Sequence, residues 1–328
     1  MKTKVAAGID IGGTKIALAL ETLGGEKTAR RRIPTRVEIG GAAATVENIA
    51  LALEEMADQS DGEIISVGIG CPSPLDIENG LVMSPSNLRD WDRFPIVRFF
   101  EERFDVPVAL DNDANAAALG EFVYGAGRGC RNIVYITVST GIGGGIILGG
   151  ELFHGVAASA GELGHTIVQP DGGARCGCGS IGCLETICAG THIARRAKEK
   201  LKGGAASLMT EIAGNIDDVT AETVVEAVRR GDETAMEIWD ETCRFLAIGI
   251  ANIVTLLAPE KVIVGGGVAG AGELLFAPLK KLVPQFVSMI PADKIRIVPA
   301  ELAAESGVCG ALVLAKKAYR KKHQTYEV

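Results

Sequence analysis

Aromatic side chains and long apolar runs are both scarce in this chain, and each scarcity removes a class of function. Only 5% of the 328 residues are aromatic and the formal net charge is −8. That opposes a nucleic-acid surface, which needs clustered cations over phosphates or aromatic platforms under bases. The cation-rich stretch Lys316-Lys317-Ala318-Tyr319-Arg320-Lys321-Lys322 reads as a solvated helix end whose charges suit the negative pole of the helix. No segment reaches the roughly 18 apolar residues of a membrane span; residues 245–259 fall short and contain Asn252, so they read as a core helix. No signal-peptide pattern precedes Asp10, which interrupts the apolar run 5–9, so a cytoplasmic, reducing setting is expected. The eight cysteines are then not a disulfide framework, and Cys71, Cys130, Cys188, Cys243 and Cys309, scattered without ligand spacing, read as buried free thiols. A Walker lysine motif is also missing.

What is abundant is apolar residues, 47% of the chain, and glycine, at 42 positions. That composition reads as α/β, and the length leaves room for two domains. Residues 5–20 and 135–148 share one design, strand, glycine turn, strand, which suggests a structural duplication with a glycine hairpin opening each domain. Residues 45–56 have helical spacing, 64–69 form a buried strand, and 106–110 another that ends at Asp111-Asn112-Asp113. A helix over 114–122 follows, which puts Asp113 at a strand-to-helix junction, a usual seat for chemistry in open α/β sheets. Further helices are expected over 186–202, 234–257 and 303–322. A strand at 261–264 leads through Gly265-Gly266-Gly267 into another helix.

Several groups of residues point to chemistry. Glycine hairpins let backbone N–H groups approach an anion because no Cβ intervenes, so Gly12 and Gly13 in one and Gly141 and Gly143 in the other are candidates to grip phosphates. Thr14 and Thr140 add hydroxyl donors, and Asp10, beside the first turn, can hold the waters of a magnesium ion. The plainer alternative is a tight hairpin in which glycine supplies positive φ. Residues 265–270 satisfy G-x-G-x-x-G after a strand, but residues 177–182 satisfy it too. The triplet is therefore read as a surface for adenosine, with simple helix entry as the alternative. Asn112 and Asp113 either cap the helix that follows or supply a strand-end carboxylate able to accept a hydroxyl proton. His165, Cys176, Cys178 and Cys183 form a complete set of zinc ligands. One imidazole and three thiolates close the tetrahedron, so that metal braces a loop and does not activate water. Glu162 and Glu185 flank the set and are free either to face a polyhydroxyl ligand or to make structural hydrogen bonds.

These residues resemble the ROK family. Asp10-Ile11-Gly12-Gly13-Thr14-Lys15 is similar to its first phosphate motif, Ser139-Thr140-Gly141-Ile142-Gly143-Gly144-Gly145 to its second, and Gly265-Gly266-Gly267 to its adenosine motif. Leu110-Asp111-Asn112-Asp113-Ala114-Asn115-Ala116 resembles its catalytic segment. Gly161-Glu162-Leu163-Gly164-His165 with the thiols of Cys176, Cys178 and Cys183, ending at Leu184-Glu185, resembles its zinc signature. The resemblance implies an actin/hexokinase-like, ribonuclease H-like fold of duplicated domains with a cleft between them and a structural zinc knuckle. The small domain would cover 1–117, with the helix at 303–322 packing back on it, and the larger domain 118–302, with the zinc loop at 165–183. It further implies an ATP- and Mg2+-dependent hexokinase, most like the bacterial glucokinases, phosphorylating the sugar 6-hydroxyl. Asp113 would be the general base; Asn87, Asn112, Asp113, Glu162, His165 and Glu185 would hold the sugar, His165 also ligating zinc. Asp10, Gly12, Gly13, Thr14, Lys15, Thr140, Gly141, Gly143 and Gly265 to Gly267 would hold Mg-ATP.

Two positions depart from the family pattern. Ser73 stands where many members carry glycine, near the expected sugar contacts, and Ala189 stands where serine is usual. Family relatives that phosphorylate N-acetylmannosamine, allose or fructose remain alternatives, although Leu184 and the Gly-Glu-Leu-Gly-His form are more like the glucokinases. The family's sugar-sensing repressors carry an added N-terminal helix-turn-helix; a first strand at about Val5 and the acidic charge make that reading the less favoured. The resemblance also implies a homodimer or higher homo-oligomer.

Overall fold

The computed structural model describes residues 2–35, 40–85, 88 and 90–323. The chain divides into two compact units. The first takes the chain up to Arg128, the excursion Leu152–Ala160 and the chain from Ala304; the second takes Gly129–Glu151 and Gly161–Ala303.

The first unit opens with the antiparallel hairpin of β1 (Thr3–Ile11) and β2 (Lys15–Thr22), closing at Ile11↔Ile16, with β3 (Lys27–Pro34) antiparallel to β2. Helix α1 (Gly41–Gln59) leads to β4 (Gly62–Cys71), parallel to β1. A short ribbon of β5 (Leu75–Asp76) and β6 (Leu81–Val82) and helix α2 (Ile96–Phe104) precede β7 (Val108–Asn112), parallel to β4, and then α3 (Asp113–Tyr124). The sheet order is β3-β2-β1-β4-β7.

Because side chains alternate across a strand, each central strand serves two faces. Ala7, Ile9 and Ile11 of β1 and Val67, Ile69 and Cys71 of β4 enter the core shared with Val46, Ile49, Leu53 and Met56 of α1, whose three- and four-residue spacing makes one buried stripe. The intervening positions are Gly8, Asp10, Gly68 and Gly70.

The second unit repeats the plan. β8 (Ile133–Val138) and β9 (Ile142–Leu148) form a hairpin closing at Val138↔Ile142, and β10 (Glu151–Leu152) follows where the chain leaves for its excursion. Helices α4 (Glu185–Cys188), α5 (Gly190–Lys202), α6 (Met209–Ala213), α7 (Ala221–Arg229) and α8 (Glu233–Leu257) lead to β11 (Lys261–Gly265), parallel to β8. Helix α9 (Glu273–Phe286) and β12 (Ile297–Pro299), parallel to β11, complete the sheet order β10-β9-β8-β11-β12. Its core is built on α8, where Ile238, Trp239, Leu246, Ile250 and Val254 are buried. Both sheets thus consist of a hairpin whose first strand continues into two parallel neighbours, the duplication expected from the two glycine turns.

The last helix, α10 (Ser306–His323), belongs to the first unit and packs on β1, β4 and α3. Its backbone lies flat on the small-residue face: a Cβ on Gly68 would stand 2.0 Å from the Ala311 oxygen, and one on Gly310 would be closer still to the Ala116 oxygen. Glycine is required at both crossings because no side chain can yield where backbone meets backbone.

Two expected helices differ in detail. The one expected over 186–202 breaks at Ala189, whose ψ of 148° is extended, so that Gly190 N–H donates to the Ser139 oxygen at 2.7 Å instead of continuing the helix. The helix expected directly after Gly265 to Gly267 starts only at Glu273, after a short 3-10 turn, because Gly272 is left-handed at φ 63°. Among the described residues no helix is long and apolar enough to cross a membrane.

Candidate active site

The first unit gathers two carboxylates on the α10 face of its sheet. Asp10 is the penultimate residue of β1 and Asp113 opens α3, and a Cβ built on Gly70 of β4 would lie 3.7 Å from both the Asp10 Oδ1 and the Asp113 Cα. Gly307 lies closer still, since its Cβ would fall 2.4 Å from Asp10 Oδ2. Confinement in this low-dielectric corner, and next the charge of Asp113, push the Asp10 carboxyl up to about 7, against a smaller opposing pull from Arg32. A half-buried oxygen donor whose ionised form is disfavoured by its surroundings fits a hard divalent cation, which would supply the missing positive charge. The adjoining turn is closed by Gly12 N–H to the Lys15 oxygen at 3.0 Å and braced by the Thr35 hydroxyl to the Gly12 oxygen at 2.7 Å, while Gly13 lies half-buried and Thr14 and Lys15 face solvent.

Asn112 is the N-cap of α3: its Oδ1 accepts from Ala114 N at 2.8 Å and Asn115 N at 3.3 Å, so the capping reading holds for it. Its Nδ2 donates to the Ser73 hydroxyl at 2.9 Å, so the departure at Ser73 touches a candidate sugar residue directly. Asp113 accepts from Ala114 N at 2.8 Å and carries the negative charge at the helix's positive end.

The second unit brings together the rest. The Glu185 Oε2, on the first residue of α4, accepts from Ile142 N at 2.9 Å, tying this acid to the turn between β8 and β9. A Cβ on Gly141 would stand 2.8 Å from that oxygen, so Glu185 reaches the strand only because residue 141 lacks a side chain. Neither Gly12 nor Gly141 has positive φ; their glycines serve close approach, not left-handed backbone. Glu162 is exposed just before the 3-10 turn Leu163–His165. The His165 ring lies between two neighbours, with Nδ1 at 3.6 Å from Cys176 Sγ and Nε2 at 3.9 Å from Glu162 Oε2.

His165, Cys176, Cys178 and Cys183 place one donor atom each within 4.8 Å of one another. The Cys178–Cys183 sulfur separation is 3.7 Å; zinc–sulfur bonds of ~2.3 Å at tetrahedral angles give an edge of ~3.8 Å. Three neighbouring thiols do not ionise alike. Hydrogen bonds from Ser180 hold Cys178 down at about 7, whereas burial raises Cys176 and pushes Cys183 up to about 12.

A cavity of about 380 Å³ is lined by Ser139, Thr140, Thr191, Lys198, Glu222 and Gly267. It shares Ala221, Glu222, Gly267 and Val268 with a neighbouring cavity that reaches Arg229. It therefore joins the second hairpin to the glycine triplet, whose Gly266, at φ 86°, puts its Cα against the Val138 oxygen where a Cβ would be 2.4 Å away. Gly143 lies on β9 and Gly265 is buried at the end of β11.

Asn87 lies outside the described residues. Residues that motif reading missed are Thr191, Lys198 and Glu222, contributed by α5 and α7, and His154, whose Nε2 stands 2.7 Å from Asp111 Oδ2. Helix faces packed against a cavity leave no local signature, and His154, among only four histidines, has no ligand spacing to single it out.

The chain matches the ROK family over residues 6–318. It is 38% identical to a glucokinase of Halalkalibacterium halodurans, over 97% of this chain and 96% of that one. Among solved structures it is similar to a ROK hexokinase from Thermus thermophilus, with TM-score 0.85 and 34% identity over 97% of this chain and 99% of that one. It is also similar to a ROK family glucokinase from Streptomyces griseus in complex with glucose and AMPPNP, with TM-score 0.79 and 34% identity over 95% and 99%. Matched sheets, zinc-signature residues and full-length similarity agree: this chain belongs to the ROK family and has its actin/hexokinase-like fold.

Proposed function

We propose that this chain is an ATP-dependent hexose kinase that converts glucose to glucose 6-phosphate. The observation that carries the reading is the pairing of Asp10 and Asp113 about Gly70, which stands a cation-binding carboxylate beside a proton acceptor at a helix N-terminus. Asp113 accepts the proton of the sugar hydroxyl as its oxygen attacks the terminal phosphorus, so alkoxide character develops only in the transition state. Asn112, Glu162, His165 and Glu185, with Asn87, bind and orient the sugar through hydroxyls that each donate and accept. Gly12, Gly13, Thr14 and Lys15, with Thr140, Gly141 and Gly143, hold the phosphates, and Gly265 to Gly267 the adenosine. Asp10 would hold Mg2+, which when bound neutralises charge on the transferring phosphoryl group. The similarity to glucokinases over the full chain supports glucose as the hexose.

His165, Cys176, Cys178 and Cys183 would hold a structural zinc, and the fit of the sulfur separation to a tetrahedral edge supports it. Cytoplasmic location is part of the same reading and rests on the similarity to glucokinases. So is a homo-oligomer, which rests on family membership and is checked by sedimentation. The division into two domains at about residues 117 and 302 belongs to the same proposal; the compact units support two domains but part after Arg128 and Ala303, with Leu152–Ala160 in the first.

The test is a coupled assay over a panel of hexoses with ATP and polyphosphate as donors. Glucose with ATP should give the highest kcat/KM, and Asp113→Asn should cut kcat by about 10²- to 10⁴-fold while changing glucose affinity much less. Preference for N-acetylmannosamine, allose or fructose would move the substrate assignment within the family. Sugar binding with no phosphorylation of any hexose would favour a sugar-sensing regulator.

A further inference from the structure

Beside the proposed base lies a carboxylate–imidazole contact that the reaction itself does not use. Asp111 is 3% exposed, in the strand end immediately before Asn112 and Asp113. Its Oδ1 accepts from Asn112 N at 2.8 Å and from Asn115 Nδ2 at 2.9 Å, and its Oδ2 meets His154 Nε2 at 2.7 Å. The carboxylate thus clamps the turn that aims Asn112 and Asp113 from one side and the first turn of α3 from the other. His154 comes from the excursion Leu152–Ala160, which the second unit's chain makes into the first unit. That excursion bears backbone strain, with Ala157 and Ala158 at φ 52° and 54°, and the His154 oxygen ties it back by accepting from Ala160 N at 2.9 Å.

We infer that His154 is a positioning residue for phosphoryl transfer: as imidazolium it neutralises the buried Asp111 carboxylate and so keeps Asn112 and Asp113 in their working orientation. A carboxylate this deep is tolerated when paired and hydrogen-bonded and is costly when its partner is removed. The charged groups facing His154 are Asp111 of β7 and Lys317 of α10. The hydrogen bond to Asp111 raises the imidazole above its usual range, against partial burial and the repulsion of Lys317. The sign follows: a group with a raised folded pKa contributes fully below its ordinary 6.5 and loses that contribution as pH climbs through the raised value.

This inference rests on Asp113 being the base, and the experiment separates the two. Steady-state kinetics of the full chain are measured from mildly acidic to alkaline pH for wild type, Asp113→Asn, His154→Gln and His154→Gln/Asp111→Asn. His154→Gln keeps a donor but not the charge. Its kcat should fall about tenfold, since slight misplacement of a reacting group costs that much or more, with the KM for ATP unchanged. Wild type should lose kcat as the imidazole deprotonates, and His154→Gln should lack that limb. Adding Asp111→Asn should recover much of the lost kcat, because it removes the uncompensated charge while its amide oxygen still accepts from Asn112 and Asn115. The inference is overturned if His154→Gln matches wild type in kcat and pH profile. It is overturned equally if the variant is slower with an unaltered profile, or if Asp111→Asn brings no recovery. Full turnover in Asp113→Asn would instead overturn the assignment of the base.

Discussion

Asp10→Asn should make the protein more stable and less active at once. The carboxyl is pushed from its ordinary 3.8 to about 7 in the folded chain. Between those values the folded chain holds a proton on Asp10 that the unfolded chain has released, so raising pH through this window costs stability, and above about pH 7 the whole loss is present. At ~1.4 kcal/mol per unit, the gap from 3.8 to about 7 amounts to at most about 4 kcal/mol. An amide in place of the carboxylate still has to be hydrogen-bonded, which returns about 1 kcal/mol. The net expectation is that Asp10→Asn, without nucleotide or divalent cation at pH 8, is about 2–3 kcal/mol more stable than wild type, the advantage shrinking as pH falls toward 4. Urea unfolding of both proteins across that range measures it directly. Mg-ATP should then stabilise wild type and leave Asp10→Asn nearly unmoved, and the variant should have almost no kinase turnover. Equal stabilities at pH 8, or a difference that does not depend on pH, would refute the reasoning that this corner is built to be completed by a cation.

The remaining expectations concern the loop, the helix start and the helix crossing. Freshly purified protein should contain equimolar zinc, and chelation or Cys183→Ser should lower Tm and raise the KM for glucose more than that for ATP, since the thiol loop carries His165 and leads to Glu185; metal analysis well below equimolar would contradict it. Ala189 starts α5 with no side-chain cap, so Ala189→Ser should raise stability by about 1 kcal/mol with turnover unaltered, read by thermal unfolding. Gly307→Ala would press a methyl onto the Asp10 carboxylate, and the KM for Mg-ATP should rise about tenfold or more while glucose binding, followed by calorimetry, is preserved.

The strands and helices that carry the site were legible because their cause is local. The apolar runs of β1 and β4, the three- and four-residue stripe of α1 and the capping pattern at Asn112 are written in neighbouring residues. The break at Ala189 was not, because its cause, the Ser139 carbonyl waiting for Gly190 N–H, comes from a strand end far away in sequence. The same is true of Thr191, Lys198 and Glu222, which share a cavity with Gly267 only because separate helices pack around it.

Donor chemistry and spacing picked out the candidate zinc set and the two glycine turns, and the resemblance of the motifs to a family supplied the candidate base. Only the folded chain decided that Gly70 brings Asp10 beside Asp113, that Gly141 admits Glu185 to the second turn, and that His154 meets the buried Asp111. The reason is physical: a residue's chemical type is fixed by its own atoms, whereas its charge state and aim are fixed by what the rest of the chain packs against it.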